Sequence, residues 1–550
     1  MTSPTRRLAA TLVDRLLTAQ PFLATDLGLR EYDALVPDPS AAGDDALAAD
    51  LATIAAQAGD LAPDDPADAV TQQVIVSSCE RQQRQLAARA VEYTVTAMPF
   101  AGPASLMAVF ARSVLPDPQA AADYLDRAKG SVGWLDGVTV RLREGAARGR
   151  LPVGSLVDAA LAWVDHTLAA PVPAALVAGA PPAGWDGAAA WREELETVGR
   201  DGIAPALGRW RDQLVALRPY ARPDDLAGLA ALPGGAADYA NAVAVHTTLP
   251  LAPGELHRIG LDEVARLEDR ARELGAQLGL ADLDAVRQAL RAAAHDADPD
   301  AALAAAQAAV RRAEARVHEI MPAPLPEPCA VSPMPQTVAE AGTAPHYTRP
   351  RLDGSRPGTF WFNTRRPTAG TGWDLEAVAF HETVPGHHSQ LARLQRLPDL
   401  PLLQQLSVTV HSEGWGLYAE RLAGEFGLYS GTQAELGAVY VEMHRAARLV
   451  VDTGLHAYGW SRQQARDYLL GHVALDAGFL TDEIDRYIIW PGQALAYLVG
   501  QREILRLRER ARTLLGDRFA LPAFNGALLG SGNLPMPVLA ATIDRWIEHQ

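Results

Sequence analysis

The sequence predicts a mostly α-helical protein with a large multi-helix fold, interrupted by a small β element just ahead of a metal-binding helix. Three observations predict this class. Apolar residues recur at spacings of three and four along most of the 550 residues. Strand-like composition is confined to a stretch between residues 321 and 363. Hydrophobic residues make up 48% of the chain, ample for a large core.

Charge and composition exclude several functions. The formal net charge is −17, with 49 Lys+Arg against 66 Asp+Glu, so no basic stripe for nucleic acid is expected. Lys129 is the one lysine, and its context Arg127-Ala128-Lys129-Gly130-Ser131 lacks the GxxxxGK[ST] form of a phosphate loop. Schiff-base and P-loop chemistry therefore fall away. Cys79 and Cys329 form no CxxC pair and read as buried apolar residues of a reducing compartment. The segment beginning Thr5-Arg6-Arg7-Leu8 reads as an amphipathic helix rather than a signal peptide. No run of ~20 uncharged apolar residues suggests a membrane span. A cytoplasmic protein is expected.

The first part, residues 1–320, is expected to be a stack of structural helices. Its clearest stripe is Leu303, Ala306, Val310, Ala313 and Val317, with Arg311, Arg312, Glu314 and Arg316 off it. Composition changes at the proline-rich run from Met321 to Pro328, which opens a second part over 321–550; one continuous domain is the alternative. After the turn Asp353-Gly354-Ser355-Arg356-Pro357, the run Gly358 to Thr364 reads as a strand. Helical periodicity resumes at Trp373, and ten of the 14 histidines lie between His318 and His549.

The helix starting near Trp373 carries His381-Glu382-Thr383-Val384-Pro385-Gly386-His387-His388. Two imidazoles on one helix that bind zinc, with a glutamate to activate water, are the arrangement of HExxH metallopeptidases. Here Pro385 occupies the i+4 position, so the simple motif fails. Pro385 cannot donate to the His381 carbonyl and Gly386 tolerates unusual dihedrals, so the two can bulge the helix by two residues. That maps the second ligand onto His387. His388, at i+7, has the better direction on an unbroken helix, but its rise of ~10.5 Å is too great for one ion. It stays as the alternative. Glu382 is the candidate general base. Zinc is the commonest metal for such a site, though spacing alone also admits cobalt or manganese.

Downstream, His411-Ser412-Glu413-Gly414-Trp415 resembles the Asn-Glu-Gly-Phe-Ala segment by which aminopeptidase-N-like zinc enzymes supply a glutamate ligand. The resemblance makes Glu413 the third ligand, 32 positions after His381, with Glu420 two turns on as a supporting or ordinary carboxylate. The HExxPGHH element itself is similar to that of a bacterial family filed as domain of unknown function 885. Further segments share the likeness: Asp353 to Gly358, Val451-Asp452-Thr453-Gly454-Leu455-His456, Arg486-Tyr487, and Trp490-Pro491-Gly492-Gln493-Ala494. It implies a mostly helical metallohydrolase and does not fix a substrate; the ligand set His381, His387 and Glu413 predicts one zinc per chain.

Hydrolysis of an amide passes through an oxyanion that needs a donor opposite the metal. Related zinc peptidases often use a tyrosine hydroxyl, and Tyr487, Tyr497 and His456 lie in or beside the family-like segments. Arg486 is a candidate fork for a substrate carboxylate, or else a partner in an internal salt bridge. Zinc peptidases commonly place a substrate-pairing edge strand ahead of the zinc helix, which makes Asn363 a candidate substrate contact; the run reads equally well as a buried structural strand. The expected activity is hydrolysis of peptide bonds in short peptides. The alternatives are an amide hydrolase for a specialised small metabolite, or a non-catalytic helical binding protein with a closed structural metal.

Overall fold

The computed structural model describes residues 3–295, 298–323, 327–334, 339, 345–363 and 372–550. Helices dominate, and among the described residues none is long and apolar enough to cross a membrane. Helix ends follow local chemistry. Asp117 opens α1 (Pro118–Ala147) by accepting from the Ala120 N–H at 2.9 Å, with Pro118 preset in the first turn. Around α1 and α2 (Ala204–Leu217) a core forms whose buried residues lie between Val95 and Leu217, with Phe22 and Val36 packed against it. The largest core instead draws on residues from Ala9 to Ile543, on both sides of position 320.

Two helices and a sheet lead to the metal-binding segment. Helix α3 spans Pro253–Gln277. Helix α4 spans Pro299–Arg316, is capped by Asp298 on the Ala301 N–H at 2.7 Å, and buries the expected stripe Ala306, Val310 and Ala313. Three strands follow: β1 (Ala330–Pro333), β2 (His346–Thr348) and β3 (Thr359–Phe362). Their order is β1-β3-β2, with β3 parallel to β1 and antiparallel to β2. Phe360 and Phe362 alternate into the core from the same face of β3.

Of the two readings of this run, edge strand or buried structural strand, the structure gives the second: it is the centre of the sheet. Its backbone is engaged by β1 on one side and β2 on the other, so no free edge is left to pair with a substrate. Thr364, the last residue of that expected run, lies outside the described residues.

Helix α5 (Leu375–Glu382) comes next, then α6 (His387–Leu394), α7 (Thr409–Glu425), α8 (Thr432–His456), α9 (Ala477–Ile489) and α10 (Ala496–Leu515). Helices α7 and α10 approach backbone to backbone. A Cβ on Gly414 would stand 2.5 Å from the Gly500 backbone. Arg312 ties α4 to α5 by pairing with Glu376 at 2.7 Å.

Candidate metal centre

The His-Glu helix does not bulge; it ends. Helix α5 stops at Glu382, four residues turn, and α6 starts at His387. Pro385 has no N–H to continue the ladder. The Gly386 N–H reaches back to the Phe380 carbonyl at 3.1 Å, past the usual i−4 partner. A Cβ on Gly386 would meet the His381 carbonyl at 2.0 Å, so glycine is required at this close approach. From α7, the Trp415 indole donates to the carbonyls of Pro385 at 3.0 Å and Gly386 at 3.1 Å and pins the turn.

The turn brings the His387 ring to 4.6 Å from the His381 ring, edge to face. Glu413 approaches from α7, its Oε2 standing 3.5 Å from Nε2 of both histidines. One ligand atom from each of the three residues lies within 4.8 Å of the others. Donors bonded tetrahedrally to zinc at ~2.0–2.2 Å stand roughly 3.3–3.6 Å apart, so both 3.5 Å separations fit that ion.

Support comes from the far side of the His381 ring. Its Nδ1 meets Glu420 Oε1 at 2.7 Å, which holds a proton on Nδ1, so Nε2 is the nitrogen that would give up its proton to a metal. Gly416 makes the room, since a Cβ there would come within 2.5 Å of the ring. Burial opposes the charged imidazolium, but Glu413 and Glu420 overcome it and push the His381 pKa up to about 10. Desolvation likewise opposes ionisation of Glu413, yet His381 and His387 hold its carboxyl well below the usual range. The cluster has an appetite for positive charge.

Glu382 is half-buried beside this cluster, and its Oε2 accepts the Tyr347 backbone N–H of β2 at 2.9 Å. Sequence reasoning missed Tyr347; nothing in a three-residue strand marks it. His388, the alternative ligand, is turned elsewhere. Its Nδ1 meets the Tyr347 hydroxyl at 3.0 Å and its Nε2 the Glu327 carbonyl at 2.6 Å. Both ring nitrogens are thereby committed, one to β2 and one to the segment ahead of β1.

The other candidates have different occupations. His456 bridges the Leu229 N–H at 3.0 Å and the Tyr487 carbonyl at 3.0 Å, and burial drives its pKa down to about 3. It is a neutral core histidine. The Tyr487 hydroxyl donates to Glu483 at 2.8 Å and accepts from Arg448 at 3.0 Å. Arg486 takes the salt-bridge option, with Glu483 at 2.9 Å and the Gln493 side-chain carbonyl at 2.6 Å. The Tyr497 hydroxyl accepts from Arg486 at 3.3 Å. Asn363 is 1% exposed and donates to the Ala339 carbonyl at 3.1 Å, so it holds the backbone rather than facing an open edge. None of these hydrogen bonds reaches the three-ligand cluster.

Comparison with known proteins places the chain in a group whose function is open. No curated protein matches it. A crystal structure from Colwellia psychrerythraea, of a protein provisionally classed as a lipoprotein, superposes with a TM-score of 0.90 at 25% identity over 99% of each chain. A protein of unknown function from Shewanella oneidensis, provisionally classed the same way, shares the fold alone. It superposes with a TM-score of 0.77 at 16% identity, over 98% of this chain and 99% of that one. Residues 21–543 match the family described as bacterial protein of unknown function (DUF885), and the chain belongs to it.

Proposed function

We propose that the protein is a zinc-dependent hydrolase of peptide or related amide bonds in short, small substrates. The observation that carries this reading is the convergence of His381, His387 and Glu413, whose ligand atoms lie within 4.8 Å of one another, with Glu382 beside them. Three protein ligands leave a fourth position open, the pattern of catalytic rather than structural zinc. His388 would be needed to close the site, and its nitrogens are engaged by Tyr347 and Glu327. That geometry argues against the structural-metal alternative.

Zinc held by these residues supplies a Lewis acid and lowers the pKa of water towards ~7. The chain's own residues do the rest. The Tyr347 N–H fixes one oxygen of Glu382. Among the described residues the other oxygen carries no hydrogen bond, so it can take the proton of the attacking water. Glu382 then returns that proton to the leaving amine. Glu420 holds the His381 ring in the tautomer that ligates.

The test is Glu382→Gln, with zinc content and hydrolysis of a short-peptide library measured on one preparation. Metal should stay while turnover falls roughly 10²–10⁴-fold. Full activity with full metal would remove Glu382 from the reaction.

A further inference from the structure

Beside the metal centre lies a second buried cluster, built from three helices. From α8, Arg448 reaches Glu483 of α9 at 2.6 Å, and Arg486 binds the other oxygen of the same carboxylate at 2.9 Å. Arg445, one turn before Arg448, has no such partner. Its Nη1 faces Nδ1 of His444 at 3.2 Å, and among the described residues it pairs with no carboxylate. Arg445 and Arg448 both lie over the Tyr497 ring, at 5.4 and 4.6 Å from its centroid.

Three guanidiniums thus stand in a cluster with one carboxylate, Glu483, which Arg448 and Arg486 engage and Arg445 does not. His444 adds no charge, because burial, with Arg448 and Arg445 beside it, holds its pKa well below the usual value. Arg448 is 3% exposed, yet its Nη1 has no hydrogen-bond partner, and Arg445 Nε is also buried without one. A buried guanidinium nitrogen without an acceptor is costly, and an excess of like charge compounds the cost. Both are relieved by an anion.

The cluster adjoins the metal-binding helix. Tyr497 stands one turn before Gly500, whose backbone touches Gly414, the neighbour of Glu413. On α8, Glu442 stands one turn before Arg445, close enough to Glu420 of α7 to feel its charge. Helices α8 and α10 therefore bring the guanidiniums to the flank of the helix that carries Glu413 and Glu420. Arg445 is only partly buried, so a ligand can reach it.

We propose that Arg445 and Arg448, stacked on Tyr497, form the subsite for a free carboxylate of the substrate. The molecule hydrolysed at the metal centre then bears an acid group, as a short peptide does at its C-terminus. This inference rests on the hydrolase reading. A carboxylate, with two charged oxygens, can accept from both open nitrogens, Arg448 Nη1 and Arg445 Nε, and matches them better than a neutral amide does.

The test compares tri-alanine with tri-alanine amide, titrated by calorimetry into the full-length Glu382→Gln chain and into Glu382→Gln/Arg445→Gln. The acid should bind about 10- to 100-fold more tightly than the amide to the former, and the second substitution should remove that preference. Arg445→Lys, which keeps the charge but not the fork, should restore part of it and guards against misfolding. Equal binding of acid and amide, or a preference that survives Arg445→Gln, would overturn the subsite. The hydrolase reading is judged separately on the unsubstituted zinc-loaded chain. Selective binding of the acid there without cleavage would retain the subsite and sink the hydrolase. Cleavage of both peptides at equal efficiency would do the reverse.

Discussion

Around His381, three carboxylates (Glu382, Glu413 and Glu420) surround two imidazoles, whereas around Arg448 a cluster of three guanidiniums holds one carboxylate, engaged by two of them. Each cluster is short of the charge that the other has in excess, and the second flanks α7, the helix that carries Glu413 and Glu420 of the first. A self-contained ion-pair network would have met its needs internally, as buried charges usually do. Two neighbouring clusters of opposite appetite instead fit a site that receives a cation on one side and an acidic group on the other. The same contrast appears in single residues: His381, among carboxylates, is pushed up to about 10, while the equally buried His456, without one, falls to about 3.

Breaking the acidic cluster gives the largest expected effect. Glu413→Ala removes the oxygen that faces both histidines, so zinc should fall from about one per chain to near none in elemental analysis after dialysis. Full zinc occupancy in this variant would take Glu413 out of the ligand set. Glu420→Gln is expected to be milder. It leaves the three ligands in place but loosens the His381 ring, and zinc affinity by competition with a chelator should fall about 10- to 100-fold.

The smallest effect sharpens the histidine contrast. Burial lowers His246 and His456 to about 3 and His411 to about 4, so all three are neutral when folded. The unfolded chain protonates them below about 6.5 and the folded chain does not, so it is the unfolded state that gains protons there. Stability should be full above that pH and decline as pH falls towards about 4. Urea midpoints of the zinc-loaded chain at about pH 7 and about pH 5 read this directly; a higher midpoint at the lower pH would contradict it.

What was legible in the sequence was what lies close along the chain. His381, Glu382, Pro385, Gly386 and His387 fall within seven residues, and the missing Pro385 N–H forces a break that spacing alone discloses. The helical class and the stripe of α4 were legible for the same reason, because period and local propensity are properties of a short window. The form of the break was not: a bulge and a full stop differ in contacts such as that of Trp415 from α7. Tyr487, His456 and Arg486 sit in family-like segments but serve partners on other elements, among them Arg448, Leu229 and Gln493. Periodicity says which face of a helix is apolar and not which helix it will meet. The central position of β3 likewise depends on its parallel pairing with β1 across a long connection.

The most direct measurement of the proposed centre is the zinc content of His387→Ala beside that of His388→Ala, on chains purified and dialysed together. His387 stands 3.5 Å from Glu413 and faces the His381 ring, whereas His388 is held by Tyr347 and Glu327. The expected result is an empty site in His387→Ala and about one zinc per chain in His388→Ala. An empty site in His388→Ala with full zinc in His387→Ala would contradict the centre described above.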